Sequence, residues 1–352
     1  MIDISTPSIS IKKLVRGDVV TENAWDVFVE KCQNATFFHR AGWQNIINDV
    51  FQHQTYYLYA EIDDLIVAVL PLAHVNSFLF GKSLTSLPFA VYAGVAFENT
   101  DAAILLEDEA YKISQKIGVD YVEFKNVYPR HSDWPSQDIY VTFRKKILPD
   151  VEGNLLEIPR KQRAMVRKGI KNNLISQLDT KSDRFFSLYA DNVHRHGTPP
   201  MSKKYFDALL KQFEGACEIL TVVDDVGNPV SSVFSFYFRD EVLPYYAGDN
   251  EKARDLAAND FKYWELLRRS CLRGNKIFDF GRSKIGTGSF SFKKNWGFEA
   301  TPLAYEYRLL NRDSVPQNNP LNSKYRLLIA AWRKLPIGVA NFIGPFIVRN
   351  LG

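Results

Sequence analysis

The feature of this sequence that most limits its possible folds is an internal repeat. In the second half, "CEILTVVDD" and "PVSSVFSFYF" are strand-like runs joined by the turn "DDVGN", and "VLPYYAGDN" follows as a third strand. Next, "DLAANDFKYWELLRRSCLRG" places Phe261, Trp264, Leu267 and Cys271 on one side of a helix that Gly274 stops; "NKIFDF" is then a short buried strand. The first half runs in the same order. "TYYLYAEIDDLIVAVLPLAHV" gives two strands about an Asp-Asp turn, "FAVYAGVAF" answers "LPYYAGDN", "DAAILLEDEAYKISQKIG" is a helix and "VDYVEF" answers "KIFDF". The pairs Ala93-Gly94 and Ala247-Gly248, and the two late strands, are offset by roughly 155 residues, which reads as duplication.

Within each half a strand, a crossover helix and a final strand make two parallel neighbours. Ligands of such sheets sit beyond the carboxyl ends of the parallel strands. In the second half those ends carry Tyr246, Gly248 and Asp249 on one strand, and Asp279, Gly281 and Arg282 on the next. The first half has Val95 and Ala96 where the second has Asp249 and Asn250, and "KNVYPRHSDW" where the second has "GRSKIGTGSF". Polar chemistry is therefore expected in the second copy, with the first as scaffold or groove wall. The expected fold class is α/β (α+β), two tandem domains, each a mixed, mostly antiparallel sheet flanked by helices. The expected boundaries are 1–150, 151–315 and an apolar helical tail over 316–352.

A chain of 352 residues is long enough for two cores. Hydrophobic residues at 46% and charged residues at 24% are ordinary globular values, which exclude a disordered chain. The net charge of +4 suits a phosphate-bearing substrate and falls short of a dedicated nucleic-acid binder. Cys32, Cys217 and Cys271 are too scattered for a disulfide framework or a zinc site. "MIDISTPSIS" lacks the pattern of a signal peptide, so a cytoplasmic location is expected. The tail "YRLLIAAWRKLPIGVANFIGPFIVRNLG" is apolar, yet its uncharged stretch is shorter than the ~20 residues of a membrane span. Two readings of it stay open: packing onto the body, or lying at the inner face of a membrane with its basic residues at lipid headgroups.

Two basic elements point to an anion. Gly281-x-x-x-x-Gly286-Thr287 misses the P-loop pattern because Thr287 stands where lysine is needed, and no long helix is read after it; nucleotide hydrolysis is rejected. A glycine loop presenting Arg282, Lys284, Lys293 and Lys294 remains, against the alternative of a plain turn with solvated charges. In "PRKQRAMVRKGIKNNL", Arg160, Arg163, Arg167 and Lys171 recur at helical spacing, with Val166, Ile170 and Leu174 to one side. That stripe is either a solvated face or one turned to phosphate or nucleic acid. His194 and His196 lack a third ligand, so no metal is expected. No nucleophile motif such as G-x-S-x-G occurs.

Taken together, "RKQRAMVRKGIKN", "HGTPPMSKKYF", "YYAGDN" and "FDFGRSKIGTGSFSFKKNWGFE" resemble the FemAB-like branch of the GNAT acyltransferase superfamily, in its form associated with exosortase/PEP-CTERM and exopolysaccharide loci. The resemblance implies two tandem GNAT-like domains. It also implies transfer of an aminoacyl group from aminoacyl-tRNA to an amine on a peptidoglycan-type precursor, held in a cleft by basic and aromatic side chains. On this analogy Arg282, Lys284, Lys293 and Lys294 are anion contacts, and Tyr246 and Trp296 shape the cleft. GNAT enzymes that use acetyl-CoA carry Q/R-x-x-G-x-G/A after the penultimate core strand; "GDNEKARDLAAND" lacks those glycines, which weakens acetyl-CoA as donor.

The expected reaction is acyl or aminoacyl transfer to an amine of an envelope or exopolysaccharide precursor, with no cofactor beyond the co-substrate, aminoacyl-tRNA or acyl-CoA. Backbone N–H groups near Gly248, exposed by a bulge, are candidates to hold the oxyanion. Asp249 or Asp279 is the candidate base, and Asp279 is equally readable as a structural partner of Arg282. Arg160, Arg163 and Arg167 are candidate substrate contacts. The rival expectations are an acyl-CoA-dependent N-acyltransferase and a non-catalytic module binding RNA or an anionic glycan.

Overall fold

A computed structural model describes residues 8–77, 81–316 and 329–350, so residues 317–328 of the tail lie outside the described residues. The described chain forms two units. Residues up to Asp138 with Leu303–Pro316 make the first, and Ile139–Pro302 with the tail to Arg349 the second. Each holds an eight-stranded mixed sheet.

The first sheet runs in the order Ser10–Lys13, Gln54–Ile62, Leu65–Ser77, Gly81–Ser86, Tyr121–Asn126, Ala304–Leu309, Ser136–Gln137, with Ala96–Phe97 on Leu65–Ser77. The Asp-Asp turn is as read: Asp63 and Asp64 both take positive φ, 49° and 62°, as a tight hairpin demands. Gly81–Ser86 and Tyr121–Asn126 are the parallel pair, joined through the helix Thr100–Ile117. Asn99 caps that helix and Gly118, at φ 65°, ends it. Its Ala102, Leu106 and Ala110 are buried in a core with Leu58, Leu70, Leu84 and Phe124. One expectation changes here. The parallel strand is Gly81–Ser86, while Tyr92-Ala93-Gly94 lies in irregular chain, after Leu87 and Phe89 turn it at φ 46° and 65°. The Ala93 and Gly94 N–H groups still donate to the Lys125 carbonyl, so this segment lies along Tyr121–Asn126 without forming a strand.

The second sheet runs Ser283–Lys284, Tyr140–Lys146, Ile277–Asp279, Glu241–Asp249, Pro229–Phe238, Cys217–Val223, Ile175–Asp179, with Ala300–Pro302 on Tyr140–Lys146. The helices Arg160–Lys171 and Ala258–Leu272 contribute Val166, Phe261 and Trp264 to a core with Phe143, Val233, Val242, Phe280 and Trp296. The units do not divide at 150 and 315. Tyr140–Lys146, which follows the first half in sequence, pairs with Ile277–Asp279 in the second sheet; Ala304–Leu309, which follows the second half, pairs with Tyr121–Asn126 in the first. Alternation reveals a strand but not its partner, so this reciprocal exchange left no trace in the pattern of residues.

Candidate active site

Glu241–Asp249 and Ile277–Asp279 are paired in parallel at only two positions, Glu241↔Ile277 and Val242↔Phe278. Beyond Val242 the strand meets Pro244, which has no N–H to donate, and then a bulge: Phe234 faces Tyr246 and Ser235 faces Pro244, leaving Tyr245 unpaired. The bulge thus precedes Gly248. From Pro244 to Asp249 the strand keeps its partner on one edge and loses Ile277–Asp279 from the other.

The register decides which N–H groups face that open edge. Asn250 N–H donates to the Val230 carbonyl at 3.0 Å, so Asn250/Val230 is a hydrogen-bonded antiparallel pair. By alternation Gly248/Ser232 is another, and the N–H groups of Ala247 and Asp249 point the opposite way, into the opening. The Gly248 N–H therefore faces its antiparallel partner and not the open edge. Gly248 serves packing: a Cβ there would lie 2.3 Å from the Tyr189 nitrogen and 2.5 Å from the Leu188 carbonyl carbon, both backbone atoms of the helix Asp183–His196. Neither can swing aside. Gly248→Ala is expected to destabilise the protein by about 1–3 kcal/mol or more, read as a lower urea midpoint at unchanged m-value.

Asp249 sits at the end of the open edge, half-buried. Its Oδ1 accepts from Lys262 Nζ at 2.9 Å and from the Ser231 hydroxyl, while Oδ2 has no hydrogen-bond partner among the described residues. Lys262 has no exposed surface and lies 4.9 Å from the Tyr263 ring centroid. One carboxylate oxygen is thus anchored and the other is open, beside its own residue's outward N–H.

Asp279 is different. It is 2% exposed and accepts from Gly281 N–H at 2.7 Å and Thr142 Oγ1 at 3.4 Å, with Arg144 Nε 3.7 Å away. Arg144 lies on a strand from the other half of the sequence. This is a carboxylate that ties down the loop at Gly281, whose φ is 64°.

The glycine loop leads straight into a helix that the sequence reading missed, Gly288–Asn295, capped by Thr287 on Phe290 N–H. Its length of two turns and its aromatic content hid it. Lys293 belongs to this helix and is buried: Nζ donates to the carbonyls of Gly281 and Arg282, each at 3.0 Å, close to the rings of Phe143 and Phe280. Burial pulls its ammonium down to about 7, against the attraction of Asp279. A lysine so placed is no surface anion contact. Trp296, at 2% exposure, is core: its indole N–H donates to Asp260 at 2.9 Å among Tyr263, Phe280 and Phe292. It shapes no cleft.

The remaining candidates are placed as follows. Arg282 is half-buried with its guanidinium 4.4 Å from the Tyr140 ring centroid, Lys284 is half-buried with its ammonium pulled down by burial, and Lys294 is exposed beside Phe290. Tyr246 is half-buried; its hydroxyl lies 2.9 Å from that of Tyr205, and burial first, then Tyr205, push its phenol far up. Arg160 and Arg167 are exposed and Arg163 half-buried, donating to the Leu156 carbonyl at 3.2 Å. Their helix seats Val166 and Gly169, a Cβ on the latter falling 2.7 Å from Phe261 Cβ, whereas Ile170 is exposed rather than buried. His194 Nε2 lies 3.1 Å from the Trp332 carbonyl, and no cluster of three or more metal-ligating side chains occurs among the described residues.

The first unit has a cavity of its own. At the carboxyl end of Tyr121–Asn126 it encloses a cavity of about 350 Å³ lined by His39, Tyr92, Lys125, Asn126 and Arg130 among others. Lys125 and Asn126 are buried there, bonded to the Leu87 carbonyl and to Glu306.

The family model "Acetyltransferase (GNAT) domain" matches residues 160–294. No curated protein matches the chain. Among solved structures, FemX superposes with a TM-score of 0.66 at 14% identity, covering 85% of this chain and 98% of FemX. The C-terminal domain of a putative lysylphosphatidylglycerol synthetase from Agrobacterium fabrum gives a TM-score of 0.54 at 11% identity, over 82% and 92% of the two chains. A tandem GNAT protein from the clavulanic acid biosynthesis pathway gives 0.52 at 10% identity, over 88% and 100%. Residues 160–294 thus match a GNAT domain, over the sheet that carries the splayed and bulged strand, and the chain as a whole shares its fold with FemX and with a tandem GNAT protein.

Proposed function

We propose that this protein transfers an acyl or aminoacyl group to an amine of a cell-envelope or exopolysaccharide precursor, with Asp249 as base and the Ala247 and Asp249 N–H groups as oxyanion donors. The observation that carries the reading is the open strand edge ending in a half-anchored carboxylate. The neutral amine attacks the carbonyl carbon of an ester or thioester. Charge gathers on the carbonyl oxygen, where fixed N–H dipoles hold it better than they hold the flat ground state. Oδ2 of Asp249 takes the proton from the new ammonium; collapse of the intermediate breaks the bond to the leaving oxygen or sulfur, which is protonated as it departs.

The donor is an aminoacyl ester of tRNA in this reading. Pyrophosphate of a CoA donor favours a helix start with free N–H groups. Ala258–Leu272 starts after Ala257 at φ 58° and carries Asp260 in its first turn, a carboxyl that burial pushes up and that holds the Trp296 indole. No glycine occurs between Asn250 and Asp260, so a glycine-lined cradle for pyrophosphate is missing there. The basic face of Arg160–Lys171 suits the tRNA backbone, and that helix contains no acidic residue.

The test is to incubate the purified protein with charged tRNA, acyl-CoAs and envelope precursors and to find by mass spectrometry which precursor gains mass. Product from charged tRNA supports the reading; product from acyl-CoA alone overturns the donor. RNA binding without product under any donor leaves the non-catalytic module. For Arg160→Gln and Arg167→Gln, the slope of log affinity for tRNA against log salt is expected to fall by about one per residue, measured by filter binding.

A further inference from the structure

The helix Ile337–Val348 is apolar on both sides. One side is seated on the second unit: Ala340 and Val348 are buried, and a Cβ on Gly344 would fall 2.5 Å from Pro200 Cδ. The opposite side carries Val339, Phe342, Ile343 and Phe346, a stripe at helical spacing, with Phe342 74% and Phe346 59% exposed. The two phenyl rings touch, centroids 5.9 Å apart. Exposed apolar side chains also gather on the helix Val19–Lys31, where they are valines, whereas here four share one face and two of them are phenylalanines.

The charge of the tail itself has one sign. Arg333 and Lys334 are exposed just before the helix and Arg349 follows it. No Asp or Glu occurs after Asp313, while five Lys or Arg residues do. We infer that this face docks on an anionic lipid bilayer, lying in the plane of the headgroups with Phe342 and Phe346 inserted and the cations at lipid phosphates. No helix among the described residues is long and apolar enough to cross a membrane, so the mode is in-plane. Self-pairing about a two-fold axis would set the cations of one copy against those of the other with no carboxylate on the helix to answer them. Anionic headgroups complement the exposed Arg333 and Lys334.

Flotation with vesicles tests this independently of the chemistry, because no donor or acceptor is present. The full-length protein is expected to float with phosphatidylcholine–phosphatidylglycerol vesicles and only weakly with phosphatidylcholine alone, the difference shrinking in high salt. Phe342→Ser with Phe346→Ser is expected to weaken partition about tenfold or more; both rings are exposed, so an unchanged unfolding midpoint shows the fold intact. Lys334→Glu is expected to weaken binding to the anionic vesicles only. Equal partition of parent and double serine variant overturns the inference, as does failure of the parent to float. So does a dimer in light scattering that the serine variant converts to monomer.

Discussion

Asp249→Asn is expected to lower turnover by about 10²–10⁴-fold while the substrate constants stay within a fewfold of the parent. Asparagine keeps the shape of the carboxylate and an oxygen for Lys262 Nζ and the Ser231 hydroxyl, and it loses only the capacity to take a proton. A structural role predicts something else. Breaking a buried ion pair costs about 3–5 kcal/mol when one partner is left charged and alone. Lys262, with no exposed surface, would bear that cost. Rate loss would then follow the unfolded fraction and vanish at low temperature or on adding a stabilising osmolyte. Steady-state kinetics beside a denaturation curve separate the two, and an active, well-folded Asp249→Asn protein rejects Asp249 as base.

What the residues revealed and what they hid divides along one physical line. Periodicity and turn chemistry report on local structure, and they identified the hairpins, the crossover helices and the mixed sheets correctly. The duplication came through because the two halves repeat their elements in order, even though the first Tyr-Ala-Gly is held in irregular chain. Pairing is non-local. Nothing in "YVTFRKK" says that its partner is Ile277–Asp279, and without that strand Arg144 is invisible as the neighbour of Asp279.

The same limit governs the site. Lysines and a tryptophan in a glycine-rich stretch read as a binding loop, but the intervening aromatics were the stronger signal. Phe280, Phe290, Phe292, Trp296 and Phe298 form a core cluster, and any lysine on the same short helix that faces them is buried with them. Lys293 faces inward and Lys294, one residue on, faces outward. Lys262 was missed for a related reason: it lies on a helix buried nearly all round, and only its reach to Asp249 explains a lysine there. A basic residue between Phe261 and Trp264 was the available clue.

Lys293 supplies the second large effect, and its sign is fixed by burial. The ordinary lysine value is 10.5, and the folded protein sheds this proton at about 7. Between those values the unfolded chain binds more protons, so stability contributed by this group rises with pH from about 7 to about 10 and its cost is fully present below 7. The span corresponds to something on the order of 4 kcal/mol. Lys293→Met removes the titration and also the two bonds to the Gly281 and Arg282 carbonyls, a loss of about 1–3 kcal/mol. The stability curves of parent and variant are therefore expected to cross: the methionine protein is the more stable in mild acid, and the parent is the more stable near pH 10, where a neutral amine still donates to both carbonyls. Urea titrations from pH 6 to 10 at matched ionic strength read the difference, in which titrating groups remote from Lys293 cancel. Replacing Lys293 together with Lys294 by alanine, as a probe of phosphate contacts, would conflate this burial effect with binding; Lys294→Ala alone leaves the core untouched and isolates the contact. Parallel curves for parent and Lys293→Met would mean that the ammonium keeps its charge through neutral pH, and would return it to the set of groups able to neutralise a phosphate.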